Sequence, residues 1–218
     1  MKIDKIIAAG HVMPVIVIDR AEDAAPLGNA LLEGGIQTAE VTLRTPAALD
    51  AIEAMAKACP ELLVGAGTVM TADHARQVRD AGGCFAVSPG ATDTLITGCS
   101  EAGLPLLPGA STVSEMMALG EKGFSVLKFF PATAAGGLPF IKALASPLAQ
   151  FQFCPTGGIT LDTAPQWLAL PNIPCLGGSW IAPQKMIADR DFDIITQNAH
   201  AAAQLKKGLN KRGGEILR

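Results

Sequence analysis

The sequence predicts an α/β fold, a single closed (β/α)8 TIM barrel with a short N-terminal helix, and three observations predict it. Short β-like runs alternate with helix-like runs throughout, eight of each. One composition persists across 218 residues, with no linker, which reads as one domain spanning 1–218. No strand has the polar look of a sheet edge, which disfavours the alternative, an open doubly wound sheet.

The elements follow in order. A short helix over 2–9 precedes the first strand, MPVIVI (13–18). The later strands are QTAEVTL (37–43), LLVGAGT (62–68), CFAVSP (84–89), PLLPGA (105–110), SVLKFFP (125–131), QFCPTGG (152–158) and PCLGGSW (174–180). Ala- and Leu-rich segments with helical spacing lie between them, at 22–34, 46–58, 71–81, 92–102, 112–120, 138–145 and 161–169, and an eighth spans 184–207. Cap-like residues open several helices: Thr45-Pro46, Thr71 with Asp73, and Ser111 or Thr112 with Glu115 downstream.

Composition removes several function classes. The net charge is −3 and the basic residues cluster only in the tail KKGLNKR (206–212), so no nucleic-acid partner is expected. No run of about 18 apolar residues occurs, so no membrane partner is expected. The N-terminus MKIDKIIAAG mixes charge with too short an apolar run for a signal peptide. Cys59, Cys84, Cys99, Cys154 and Cys175 lack CxxC spacing, and three of them lie in apolar strand-like runs; buried thiols in a reducing cytoplasm are the reading. His11, His74 and His200 are far apart and form no metal motif, so neither metal nor cofactor is expected.

The chemistry is sought where charge enters a strand. Barrel active sites form at the C-terminal strand ends. Lys128 is the one lysine inside a predicted strand and Glu40 the one carboxylate; Arg44 ends the run that carries Glu40. Side chains alternate faces along a strand. Val126, Lys128 and Phe130 therefore share a face, and Leu127 and Phe129 share the one that suits packing against helices. Thr38, Glu40 and Thr42 share a face as well, and Arg44 keeps that parity if the strand stays extended. Lysine, carboxylate and guanidinium thus converge in the mouth, with Phe130 as an apolar wall. Two readings stay open. Lys128 and Glu40 form an internal salt bridge, or Lys128 is a nucleophilic amine that forms a Schiff base, since an apolar pocket favours a neutral amine.

TGGI (156–159) ends the seventh strand and GGSW (177–180) the eighth. Loops after these two strands often hold phosphate in barrels, because glycine lets an anion approach backbone N–H groups and Ser179 adds a hydroxyl. Tight turns explain any one glycine pair, but two pairs at the matching strand ends favour phosphate. Thr68, at the end of GAGT, is a substrate donor or a helix cap, and Ser88-Pro89-Gly90 reads as a rigid turn.

EVTLRT (40–45), VGAGTV (64–69), SPG (88–90), PGASTVSE (108–115), LKFFPA (127–132), FCPTGGI (153–159) and GGSW (177–180) together resemble the 2-keto-3-deoxy-6-phosphogluconate (KDPG) and 4-hydroxy-2-oxoglutarate (KHG) aldolase family. The resemblance spans nearly the whole chain in motif order. It implies a cytoplasmic, homotrimeric class I aldolase of the Entner-Doudoroff pathway that acts on small 2-keto acids and phosphosugars without metal. It implies Lys128 as the Schiff-base lysine and Glu40 as general acid/base. It implies Arg44 and Thr68 on the pyruvate carboxylate, Pro89 and Phe130 beside the substrate, and Gly157, Gly158, Gly178 and Ser179 around phosphate. ATAAGG (132–137) lacks the acidic residue that many relatives carry after FFPA. The galactonate-derived epimer is the alternative substrate. Other classes remain: a phosphosugar isomerase or epimerase, and a non-catalytic ligand-binding barrel.

Overall fold

The computed structural model describes residues 2–205. Helix α1 (Ile3–Ala8) precedes β1 (Val12–Ile16), and a 3-10 turn (Ala21–Asp23) leads into α2 (Ala24–Glu33). There follow β2 (Thr38–Thr42), α3 (Ala48–Ala58), β3 (Leu63–Gly67), α4 (Ala72–Asp80), β4 (Ala86–Val87) and α5 (Asp93–Glu101). The second half holds β5 (Leu106–Leu107), β6 (Gly109–Ala110), α6 (Val113–Glu121), β7 (Val126–Phe129), α7 (Gly137–Leu144), β8 (Gln152–Pro155), α8 (Ala164–Leu168), β9 (Leu176–Gly178), α9 (Gln184–Ala188) and α10 (Phe192–Ala203). No helix among the described residues is long and apolar enough to cross a membrane.

Every strand pair is parallel, and the parallel sheet curls. Six strands run in the order β5-β4-β3-β2-β1-β9 and three in the order β6-β7-β8. Thr156, just beyond β8, bridges Gly177 of β9. The curl gives the sheet two unlike faces. The outer face packs on the helices through two apolar clusters: Ala39 and Val41 of β2 enter one, Leu127 and Phe129 of β7 the other. The inner face carries Met13, Phe85, Val87, Leu107, Val126, Cys154 and Cys175, and Ile6 and Ile7 of α1 join this cluster. Alternation along each strand thus sorts the side chains as predicted, with Lys128 and Glu40 opposite the helix-facing residues.

Several expectations are corrected. The predicted fifth strand is divided into β5 and β6 at Pro108, which has no N–H to give a ladder. Its carbonyl still accepts from the Lys128 N–H at 2.8 Å. The predicted eighth helix is two helices, parted at Arg190, whose φ is +61°. That conformation is costly for a residue with a side chain. It is held by ion pairs: Asp23, 1% exposed, accepts from Arg190 Nε at 2.8 Å and Arg20 Nε at 2.7 Å. Residues 206 and 207 of that predicted helix, the basic tail, and the ends of the predicted 1–218 domain lie outside the described residues. Thr71, Thr92 and Thr112 cap their helices, Thr112 in a reciprocal box with Glu115. Thr45 does not cap α3; its hydroxyl donates to the Ile18 carbonyl.

Candidate active site

Lys128 and Glu40 come from strands on different parts of the curl and meet on its inner face. Lys128 is 4% exposed and Glu40 2%. Nζ donates to Oε1 of Glu40 at 3.1 Å. The ring of Phe130 lies beside the amine, its centroid 5.3 Å from Nζ. A buried charge without a partner is very costly, so each group depends on the other.

Two glycines of β3 make room for this pair. A Cβ on Gly67 would lie 2.1 Å from Oε1 of Glu40, and one on Gly65 2.5 Å from the Phe85 ring. Gly67 is therefore the recess that receives the carboxylate, and Gly65 accommodates the aromatic floor below it. Sequence reasoning took from GAGT only its threonine. The available signal was glycine at two alternate positions, which an inner-face stripe requires when neighbours are large.

Arg44 reaches the site differently from the expected extended strand. β2 stops at Thr42, and the Arg44 N–H turns back to the Thr42 carbonyl at 2.8 Å. The guanidinium Nε donates to Thr68 Oγ1 at 3.3 Å. Thr68 has φ +60°, a costly conformation for a β-branched residue, as occurs where a site over-determines its backbone.

A cavity of about 130 Å³ opens here, lined by Arg44, Phe130, Gly157, Gly158 and Ser179 together with Val15, Thr156, Ile159 and Gly177. Thr156 was missed in the sequence although it lies in the quoted TGGI motif, whereas Gly177, read as one of a glycine pair, lines the cavity. Five named residues are not in this wall: Lys128 and Thr68, which meet it through Phe130 and Arg44, Glu40 beside Lys128, and Gly178 and Pro89. The absent side chain of Gly178 faces the Trp180 ring, at 2.5 Å for a built Cβ, because Gly177 and Gly178 alternate faces. Pro89 lines a neighbouring crevice of about 180 Å³ between α5 and α6. A larger hollow of about 450 Å³ lies between α1, α5 and the α6–β7 turn; Lys128 and Glu40 line neither it nor the cavity of about 130 Å³, but Phe130 beside Lys128 lines the latter.

Among the described residues no three His, Cys, Asp or Glu side chains cluster as metal ligands. The site's chemical means are a buried amine, a carboxylate in contact with it, a guanidinium, hydroxyls and backbone N–H groups. Such a set can form a carbinolamine, move a proton and hold anions.

Comparison with known proteins identifies the family. The aldolase family described as KDPG and KHG aldolase matches residues 3–198. The KHG/KDPG aldolase of Escherichia coli K12 is 45% identical over 201 residues, 92% of this chain and 94% of that protein. The crystal structure of KDPG aldolase from Legionella pneumophila, with pyruvate captured as a covalent carbinolamine intermediate, superposes with a TM-score of 0.90 at 44% identity and covers 93% of this chain and 98% of that one. The Zymomonas mobilis ZM4 KDPG aldolase, solved with 3-phosphoglycerate, gives a TM-score of 0.87 at 43% identity, covering 93% and 95%. The chain belongs to the KDPG and KHG aldolase family.

Proposed function

We propose that this chain is a class I aldolase that cleaves KDPG to pyruvate and glyceraldehyde 3-phosphate, and 4-hydroxy-2-oxoglutarate to pyruvate and glyoxylate. The observation that carries this reading is the buried Lys128–Glu40 contact of 3.1 Å, inside the 3–198 span that matches the family.

The chemistry follows from that contact. Glu40 gives the ammonium a proton acceptor, and the neutral amine attacks the C2 ketone. Glu40 passes that proton to the departing hydroxyl, and loss of water gives an iminium, which serves as the electron sink. The Glu40 carboxylate takes the proton of the C4 hydroxyl. The C3–C4 electron pair flows into the iminium, the aldehyde leaves, and a pyruvate enamine remains. Glu40 returns a proton to C3, and water hydrolyses the new iminium to release pyruvate. Arg44 and Thr68, already in contact, suit the substrate carboxylate, which a guanidinium can clamp with two parallel bonds. Phe130 shields the amine. Gly157, Gly158 and Ser179 supply N–H and hydroxyl donors to the phosphate.

The same reading covers the architecture: one cytoplasmic domain, a closed barrel of eight strands with Pro108 interrupting the fifth, assembled as a trimer. In its support, the Thr156–Gly177 bridge joins the two strand groups, and a trimer would give Met70 and Met117, more than half exposed, an apolar partner.

Pyruvate with borohydride tests the chemistry. A reduced, stable pyruvate adduct should appear on Lys128 by peptide mass mapping. Adduct on another residue, or none while cleavage proceeds, would overturn the proposal.

A further inference from the structure

The loop after β7 carries an uncharged threonine, Thr133, against the two glycines that follow β8. Its N–H donates to the Gly157 carbonyl at 3.1 Å and its Oγ1 donates to the same oxygen at 3.0 Å. One residue thus occupies that carbonyl with two donors, matching its two lone pairs. The Ala132 N–H fixes the preceding Thr156 carbonyl at 2.8 Å. Thr133 also lies flush against Gly158: a Cβ there would be 2.5 Å from the threonine Oγ1 and 2.8 Å from its Cβ.

These contacts decide the orientation of one peptide group. Gly157 and Gly158 have φ of +105° and +75°, and two successive glycines leave the peptide between them unusually free to rotate. In a planar trans peptide the C=O and the N–H point in opposite directions. Holding the Gly157 carbonyl against Thr133 therefore turns the Gly158 N–H away from the β7–α7 loop. Among the described residues that N–H donates to no protein acceptor, and both glycines line the cavity. An unpartnered N–H fixed in direction is a preorganised anion donor.

We propose that Thr133 is a positioning residue for the phosphate end of the substrate, acting by clamping the 157–158 peptide with its N–H aimed into the cavity. The inference rests on the phosphate reading of this loop. Thr133 itself touches no reacting atom. Its hydroxyl sets how well the enzyme prefers a phosphorylated substrate over one without phosphate.

The test measures kcat/KM for KDPG and for 4-hydroxy-2-oxoglutarate in the wild type, Thr133→Val, Thr133→Ser and Ser179→Ala. Valine keeps the shape and the backbone N–H but removes the hydroxyl donor. Loss of one such bond should lower the KDPG to 4-hydroxy-2-oxoglutarate ratio about three- to ten-fold, chiefly through KM for KDPG. Serine should restore it. Inorganic phosphate, tested as an inhibitor of 4-hydroxy-2-oxoglutarate cleavage, should bind correspondingly more weakly to the valine variant. Equal losses on both substrates would mean that Thr133 only braces the fold, and would overturn the proposal. An unchanged ratio in Thr133→Val with a lowered one in Ser179→Ala would refute the clamp and leave the phosphate site standing. An unchanged ratio in both would remove the phosphate reading and the clamp with it.

Discussion

Gly67→Ala is the substitution whose consequence is most directly measurable from the geometry. The new methyl carbon would lie 2.1 Å from Glu40 Oε1, 2.7 Å from Cγ and 2.8 Å from Cδ. Ordinary contacts begin near 3.5 Å, so the carboxylate must retreat by more than about 1 Å. Gly67 does not adopt a left-handed backbone, so alanine adds no strain of its own there. The displaced group is the partner of Lys128 at 3.1 Å. Overpacking a core costs about 1–3 kcal/mol, and breaking a buried ion pair costs about 3–5 kcal/mol, with partial relaxation lowering the total; a loss of about 2–5 kcal/mol in unfolding free energy is expected. A misplacement of about 1 Å can itself cost 10²-fold in rate. Denaturant unfolding, borohydride trapping with pyruvate and steady-state cleavage give three independent readouts. Trapping should survive while cleavage falls at least about 10²-fold. Combining Gly67→Ala with Glu40→Asp, which shortens the crowded side chain by one methylene, should recover part of the stability. Gly67→Ala with near-normal cleavage and an unchanged unfolding midpoint would refute the recess and the assignment of Glu40 to it.

Four further outcomes are expected. Lys128→Arg should abolish turnover and trapping, because a guanidinium stays protonated at any working pH; cleavage above a few per cent would end the Schiff-base assignment. Glu40→Gln should keep some trapping of pyruvate but cleave about 10²–10⁴-fold more slowly, and a near-normal rate would make Glu40 structural. The backbone N–H groups of Ser111 and Thr112 hold the Glu115 carboxyl below its ordinary value of 4.5. Its stabilisation is thus present above about that pH and lost as pH falls through the lowered value. Glu115→Gln should therefore destabilise the protein at pH 7 and converge on wild type in acid, and a constant difference across the titration would contradict this. Finally, burial pushes the Cys99 thiol up to about 11, and the Cys59 and Cys84 thiols are also raised. Maleimide at pH 7 should label the native protein slowly and all five cysteines after denaturation; rapid stoichiometric labelling of Cys99 would contradict its burial.

The two central residues were legible because charge inside an apolar strand is rare. Lys128 and Glu40 could be selected one-dimensionally, and strand alternation, a local property, set their faces. The motif order did the same for the family. Alternation failed where the backbone stopped being a strand. Arg44 follows a turn, so its approach to Thr68 depends on the turn's geometry rather than on parity. Gly178 was grouped with Gly177 as a pair, yet neighbouring residues face opposite ways, and its built Cβ meets Trp180 outside the cavity. Gly178→Val would therefore strike the indole before it obstructed an anion.

The sequence by itself determined the succession of elements, the apolar and charged faces of the strands, and the choice of Lys128 and Glu40 as the candidate amine and carboxylate. Each is set by a residue and its neighbours within a few positions, where propensity and side-chain direction are local physics. Only the tertiary structure decided that Glu40 stands 3.1 Å from Lys128 across 88 positions of sequence, that Gly67 leaves the space it occupies, and that Thr133 holds the Gly157 carbonyl from the neighbouring loop. Those facts depend on strand order, register and curl. They join residues far apart in the chain, and no local pattern records a distance between them.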